Sequence, residues 1–274
     1  MLNMKKLPIL AKCAIILLII ILIAVILIFI VKTYGSNSEN TENVENKSMT
    51  SQTFESVQSI EINLQKLELE VKQGEQVKVE YVDTLEGLKI EQNENMLKIL
   101  DEEVIMNEDS DSQKVIIYLP QETKFNNINL AVKDRNISIE TLNATNVKLD
   151  IDGNYCTINN ILSDTAELKN QSGRIIINDW EVKNVTMQSD SGNDKLNLKV
   201  TETATMNLNT ATTEINLIGT EEDYQVNTVT ENSSMYVKMG RMDNGEQTIG
   251  NGNAKVNINA QSAALYINYK ANEE

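Results

Sequence analysis

The chain has 274 residues, with 24 Lys and Arg against 40 Asp and Glu, a net charge of −16 and no histidine. That acidity repels phosphate backbones and argues against a nucleic-acid partner. The missing histidine removes the usual general base and the commonest metal ligand together, and two cysteines, Cys13 and Cys156, are too few for a disulfide framework.

From Cys13 to Val31 run 19 residues with no charge and no proline. As a helix they span ~28 Å, about the hydrocarbon thickness of a bilayer. Lys5, Lys6 and Lys12 precede the run, whereas Lys32 beyond it is soon followed by Glu39, Glu42 and Glu45. The positive-inside rule puts the N-terminus in the cytoplasm and the rest outside. The run exceeds the apolar core of a cleavable signal, and Val31-Lys32-Thr33-Tyr34 has no small-residue cleavage site. Residues 1–12 are thus read as a short cytoplasmic end and 13–31 as a transmembrane helix. Residues 32–53, polar and acidic, are read as a flexible linker, and 54–274 as an extracytoplasmic domain.

After Phe54 the pattern has period two. Ile60/Ile62/Leu64, Leu67/Leu69/Val71 and Val77/Val79/Tyr81 alternate with polar residues, as strands with one buried face do. Further runs follow at Leu88/Ile90, Leu97/Ile99 and Val115/Ile117/Leu119, the last stopped by Pro120. An acidic loop, Glu102 to Gln113, separates the last two.

From Ile128 to Ile218 two apolar runs return every 19 residues. One is centred on Leu130, Leu149, Leu168, Met187 and Met206, the other on Ile139, Ile158, Ile177, Leu196 and Ile215. A fixed period of this kind stacks each strand on its equivalent one repeat later, which makes neighbours parallel. The fold class expected is therefore all-β, a single-stranded parallel β-helix or β-solenoid with about 19 residues per coil, preceded by one transmembrane helix. Turns between runs fall at Gly153-Asn154, Ser172-Gly173 and Ser191-Gly192, where positive φ is cheap. The pattern slips by one residue at Val226 and Met235. An insertion from Gly240 to Asn253 follows, with a hairpin turn expected at Asp243-Asn244-Gly245. Val256/Ile258/Ala260 and Leu265/Ile267 make the last coil, and Glu273-Glu274 a polar end. The irregular strands of residues 54–120 are expected to cap the other end.

Three segments carry a family resemblance: Val115-Ile-Ile-Tyr-Leu-Pro120, Leu168-x4-Gly173-x-Ile175-x-Ile177, and Gly250-Asn-Gly252-x3-Val256-x-Ile258-x6-Leu265-x-Ile267. Together they resemble the putative-adhesin β-solenoid family, over roughly residues 54–270. The resemblance implies a domain of bacterial cell-envelope proteins, some encoded near envelope-stress regulators. It implies no catalytic residues.

Candidate chemistry is sparse. Cys156 falls in an inward column with Ile137 and Ile175 and is read as a buried thiol, since a nucleophilic Cys would want a His partner. Asp109/Asp111, Asp190/Asp194 and Glu221/Glu222/Asp223 have the oxygens for Ca²⁺ but are read as solvated turn acids. Paired carboxylates on a β-helix also suit glycoside cleavage, which keeps a carbohydrate-active enzyme as the alternative function. Gly250-Asn251-Gly252 is read as a strand turn because no helix follows it to make a phosphate loop. Trp180, in a column with Leu142 and Ile161, is read as a packed corner. Outward Asn207, Asn209, Asn216, Lys195 and Lys199 belong to stacked polar rows, which suit either solvent or a ligand array. No residue is assigned a catalytic, cofactor-binding or metal role. The expected function is a non-enzymatic binding or scaffold module at the envelope, its partners the membrane and a cell-wall glycan or envelope protein.

Overall fold

A computed structural model describes residues 49–82, 85–102, 104, 113–153 and 155–271. The expected transmembrane helix, nearly all of the linker, Asp109/Asp111 and Glu273-Glu274 lie outside these residues. Among the described residues no helix is long and apolar enough to cross a membrane.

Period-two alternation produces strands throughout. The N-terminal set is β1 (Met49–Phe54), β2 (Ser59–Leu64), β3 (Glu68–Gly74), β4 (Val77–Val82), β5 (Lys89–Asn93), β6 (Met96–Leu100) and β7 (Lys114–Pro120). Six strands form the centre: β8 (Phe125–Lys133), β9 (Ile137–Asp152), β10 (Tyr155–Asn170), β11 (Arg174–Ser189), β12 (Asn193–Asn209) and β13 (Thr212–Ile218). The C-terminal set is β14 (Tyr224–Glu231), β15 (Ser234–Val237), β16 (Gly240–Met242), β17 (Gly245–Ile249), β18 (Ala254–Gln261) and β19 (Ala264–Lys270). Strand β1 covers residues 49–54, so the end expected for the linker is ordered. Antiparallel pairing with β4 holds it there, together with a 2.8 Å bond from Gln52 Nε2 to the Tyr81 hydroxyl.

In the centre β9, β10, β11 and β12 pair in parallel, Ile137 with Cys156, Ile175 with Asp194, and Leu149 with Leu168. The inward columns form one continuous hydrophobic core. At ~25 cal/mol per Å² of apolar surface, burial of these columns is the main force holding successive coils together. One slip interrupts the spacing. Trp180 pairs with Leu198 and Val182 with Val200, 18 residues apart, before Asn184 returns to Thr203.

At both ends, order in space departs from order in sequence. Strand β2 lies between β6 and β8, with Ile60 paired to both Leu97 and Ile128. Strand β3 lies likewise between β7 and β9, through Leu69. At the far end β18 lies between β12 and β14, with Val256 paired to Ala204 and to Val226. Strand β19 lies between β13 and β15, where Leu265 pairs with Thr213 and Met235. The coil expected to be last is therefore enclosed, and an earlier stretch of chain forms the end. Val226 is the equivalent of Ala204, and Met235 of Thr213, so the one-residue slip expected there is replaced by an inserted coil.

The outer coils are finished by antiparallel strands. Strand β4 pairs with β1 and β7, β5 with β6, β17 with β14 and β16 with β15. The hairpin expected at Asp243-Asn244-Gly245 is not formed there, because β16 and β17 pair with β15 and β14 instead of with each other. The true two-residue turn is Lys238-Met239, between paired Val237 and Gly240.

Left-handed turn residues also shift from where spacing put them. Asp134 (φ 52), Gly153 (φ 84), Thr210 (φ 53), Asn232 (φ 50) and Ser262 (φ 52) adopt positive φ, while Gly173 and Gly192 do not. Gly192 is required for space: a Cβ there would lie 2.2 Å from Asn170 Nδ2.

Candidate functional site

The acids named from sequence are dispersed to structural tasks. Asp194 is the correction. It stands in the inward column of Ile137, Cys156 and Ile175 and is 1% exposed, so it is no solvated turn acid. Asn170 Nδ2 donates to its Oδ1 at 2.6 Å, and Ser189 Oγ and Thr213 Oγ1 donate to its Oδ2 at 2.6 and 3.3 Å. Asn170 in turn accepts from the Gly173 N–H at 2.8 Å, which ties the buried cluster to the turn.

Burial raises the Asp194 carboxyl above the ordinary carboxylate range, against the lowering effect of its three donors. A raised pKa in the folded state means that this group's stabilising contribution is complete below its unfolded pKa. The contribution is lost as pH rises through the folded one. Asp194→Asn is therefore expected to gain on the wild type as pH is taken from the acid range to neutrality, in paired melting curves. Asp194→Ala strands three donors and is expected to cost about 1–3 kcal/mol in the acid range, a cost that shrinks toward neutrality with the same slope as the Asn comparison. A wild-type-minus-Asn difference that stays flat with pH would sink this account.

Asp190 accepts from Gln188 Nε2 at 3.0 Å, Glu221 pairs with Lys238, and Asp223 Oδ2 caps Thr220 through its N–H and hydroxyl at 2.7 and 2.9 Å. No group of three potential metal ligands occurs among the described residues. Cys156 is fully buried, and its thiol is pushed up to about 12 by burial. Trp180 is fully buried as well, in register with Ile161 and through it Leu142. At Gly250-Asn251-Gly252 the chain passes against the backbone of Asp223 and Tyr224 on its way into β18.

Sequence reasoning missed Asp101. Fully buried, it accepts the backbone N–H groups of Gln65, Lys66 and Leu67 at 2.7, 2.7 and 2.8 Å, fixing the corner between β2 and β3. Its signal was weak: Asp101 is the first of three consecutive acids at the edge of an acidic loop.

The outward rows hold the remaining chemistry. On the face carried by β10, β11, β12, β13 and β19, amides form a ladder. Asn178 donates to the Asn159 side chain at 3.0 Å, Asn197 to the Asn178 carbonyl at 2.8 Å, Asn216 to the Asn197 side chain at 2.9 Å, and Asn268 to the Asn216 side chain at 3.1 Å. A neighbouring row reads Lys195, Glu214, Tyr266 and Tyr236, in register on β12, β13, β19 and β15. Lys195 and Glu214 pair at 3.1 Å. Tyr236 and Tyr266 stack with centroids 5.2 Å apart and planes 7° from parallel. Beside them opens a groove of about 500 Å³ lined by Glu214, Tyr236, Met239, Tyr266 and Asn268. Mostly apolar walls with a few convergent polar groups are what ligand sites present. Of the outward residues named from sequence, Asn216 and Lys195 border this feature, Lys199 pairs with Glu181 at 3.1 Å, and Asn207 and Asn209 are exposed.

The sequence model of the Toastrack DUF4097 family matches residues 57–231. Among solved structures, the chain is similar to a putative adhesin from Parabacteroides distasonis ATCC 8503, at 14% identity and TM-score 0.48, over 81% of this chain and 98% of that one. A putative adhesin from Parabacteroides merdae ATCC 43184 is similar at 14% identity and TM-score 0.44, over 80% and 95%. A putative lipid binding protein from Parabacteroides distasonis ATCC 8503 is similar at 13% identity and TM-score 0.42, over 81% and 97%. No curated protein matches the chain.

Proposed function

The chain belongs to the Toastrack DUF4097 family, and from that premise we propose that it is a non-enzymatic binding or scaffold module of the bacterial cell envelope. In this reading residues 13–31 anchor it as a single-pass helix, and a solenoid of about 19-residue coils stands outside the membrane. The observation that carries the binding role is the outward face. A rigid row of amides leads to a groove walled by two tyrosines and a methionine. Aromatic and amide groups held on paired strands suit adhesion to a neutral surface. Of the acids named from sequence, by contrast, Asp190, Asp194, Glu221 and Asp223 are held in turns, an ion pair and the buried cluster.

Cell fractionation followed by protease added to intact spheroplasts tests anchoring and sidedness. The chain is expected in membranes, with the part beyond residue 54 digested from outside. Recovery in the soluble fraction, or digestion only after lysis, overturns that topology. Turnover of a bound polysaccharide, abolished by a single carboxylate substitution, would overturn the non-enzymatic reading.

A further inference from the structure

We propose that the groove between Met239 and the Tyr236–Tyr266 stack is a binding site for a neutral saccharide, with the apolar face of a sugar ring against the aromatic wall. Three observations on different elements carry it.

The first is Met239, which is 93% exposed. It occupies a two-residue turn in which Lys238 (φ 48) and Met239 (φ 65) are both left-handed. Such turns favour Asn-Gly, since a side chain with a Cβ is strained there. Lys238 is held by an ion pair to Glu221 and by the Tyr269 ring 5.2 Å from its ammonium. Met239 gains no packing in return. Strain that the fold does not repay is a pointer to function.

The second is the aromatic pair. Tyr266 is 39% exposed, and it meets Tyr236 only because β19 lies beside β15. Both edges of these strands are already occupied, β15 by β16 and β19, β19 by β13 and β15. An extended peptide therefore finds no free edge on either tyrosine strand.

The third is the polar wall. Glu214 Oε1 pairs with the Lys195 ammonium at 3.1 Å and accepts from Asn216 Nδ2 at 3.2 Å, while its Oε2 has no partner among the described residues. The Asn268 amide donates one bond to Asn216, and its oxygen has no donor among the described residues. Acceptors beside an apolar wall match a ring that is apolar on its C–H face and hydroxylated at its rim. A chain of net charge −16 disfavours an anionic ligand, so a neutral sugar is the class that fits.

The proposal rests on the binding-module reading, and its test is independent of membrane topology. The full-length chain in detergent is titrated calorimetrically with two probes, a β-1,4-linked glucose oligomer and a β-1,4-linked N-acetylglucosamine oligomer. At least one is expected to bind. Tyr266→Ala and Met239→Ser are expected to weaken binding at least tenfold, and Tyr266→Phe, which keeps the ring, to retain it. Melting curves of Met239→Ser and Tyr266→Phe should match the wild type, while Tyr266→Ala, which gives up its stack on Tyr236, should melt slightly lower but remain folded. Failure of the wild type to bind either probe overturns the proposal and leaves anchoring and sidedness to the protease test. Binding that survives both Tyr266→Ala and Met239→Ser also overturns it, while leaving a glycan-binding module intact elsewhere on the surface.

Discussion

Gly252→Ala is expected to unfasten the C-terminal end of the solenoid while leaving its centre folded. A Cβ on Gly252 would sit 2.0 Å from the Asp223 carbonyl carbon and 2.1 Å from the Tyr224 nitrogen. These are backbone atoms, so no side-chain rotation relieves the clash. The close approach has a topological cause. Here the chain enters the slot between the β12–β13 coil and the β14–β15 coil, with Gly252 N–H donating to Tyr224 O at 3.0 Å and Ala254 N–H to Asp223 O at 3.3 Å. Overpacking usually costs 1–3 kcal/mol, and contact with unyielding backbone puts this site at about 3 kcal/mol or more. Stacked repeats interact only with their neighbours, so the loss stays local. Hydrogen exchange should show protection of β14, β15, β18 and β19 falling by about a hundredfold, with β9 to β11 unchanged. Gly240→Ala, where a Cβ would meet the Val237 carbonyl oxygen at 3.3 Å, is the comparison and is expected to cost much less. Equal loss of protection along the whole chain would show that the coils unfold as one unit and that the threading argument is wrong.

Enclosing β2–β3 and β18–β19 one coil inside each end also settles how the solenoid avoids stacking on itself. A parallel coil left at the end would expose two full strand edges. Here β2, β3, β18 and β19 are each paired on both edges. The outer positions fall to internal segments that fold back as antiparallel partners, β4, β5, β16 and β17.

How much of this was legible in the sequence depended on whether the information was periodic. Spacing alone placed Cys156, Leu168, Met187 and Met206 in the core, because adjacent coils in the centre are also adjacent in sequence. The same arithmetic put Asp194 in the Cys156 column. Residue type overrode position there, since a buried carboxylate is costly unless donors surround it, and the donors Asn170, Ser189 and Thr213 come from three different strands. Counting failed at Val226 and Met235 for a different reason. Period shows what repeats but not which coil lies beside which, and their neighbours are β18 and β19, still to come in the chain. Only the Gly250-Asn251-Gly252 segment marked the crossing, and a close approach of backbone to backbone looks in sequence like any turn. The tyrosine groove was hidden for the same cause. Tyr236 and Tyr266 become neighbours only once the last coil is inserted beside β15.

The other large effect is expected at Trp180, the only tryptophan in the chain. Trp180→Ala removes the largest fully buried side chain and should cost about 3–5 kcal/mol. Trp180→Phe is expected to stay within about 1 kcal/mol of the wild type, because two terms oppose each other. The smaller ring gives up some packing, but the buried indole N–H has no hydrogen-bond partner among the described residues, and removing an unsatisfied donor recovers about 1–3 kcal/mol. The spacing between β11 and β12 slips by one residue at the Trp180–Leu198 pair, so the corner is already irregular. Denaturant unfolding followed by circular dichroism would compare the variants, and the blue-shifted emission of the wild-type indole would report that it is dry. A Phe variant as unstable as the Ala variant would mean that the N–H has a partner, such as bound water. An indole emitting as in water would return Trp180 to the surface, where a sugar could stack on it in place of Tyr266.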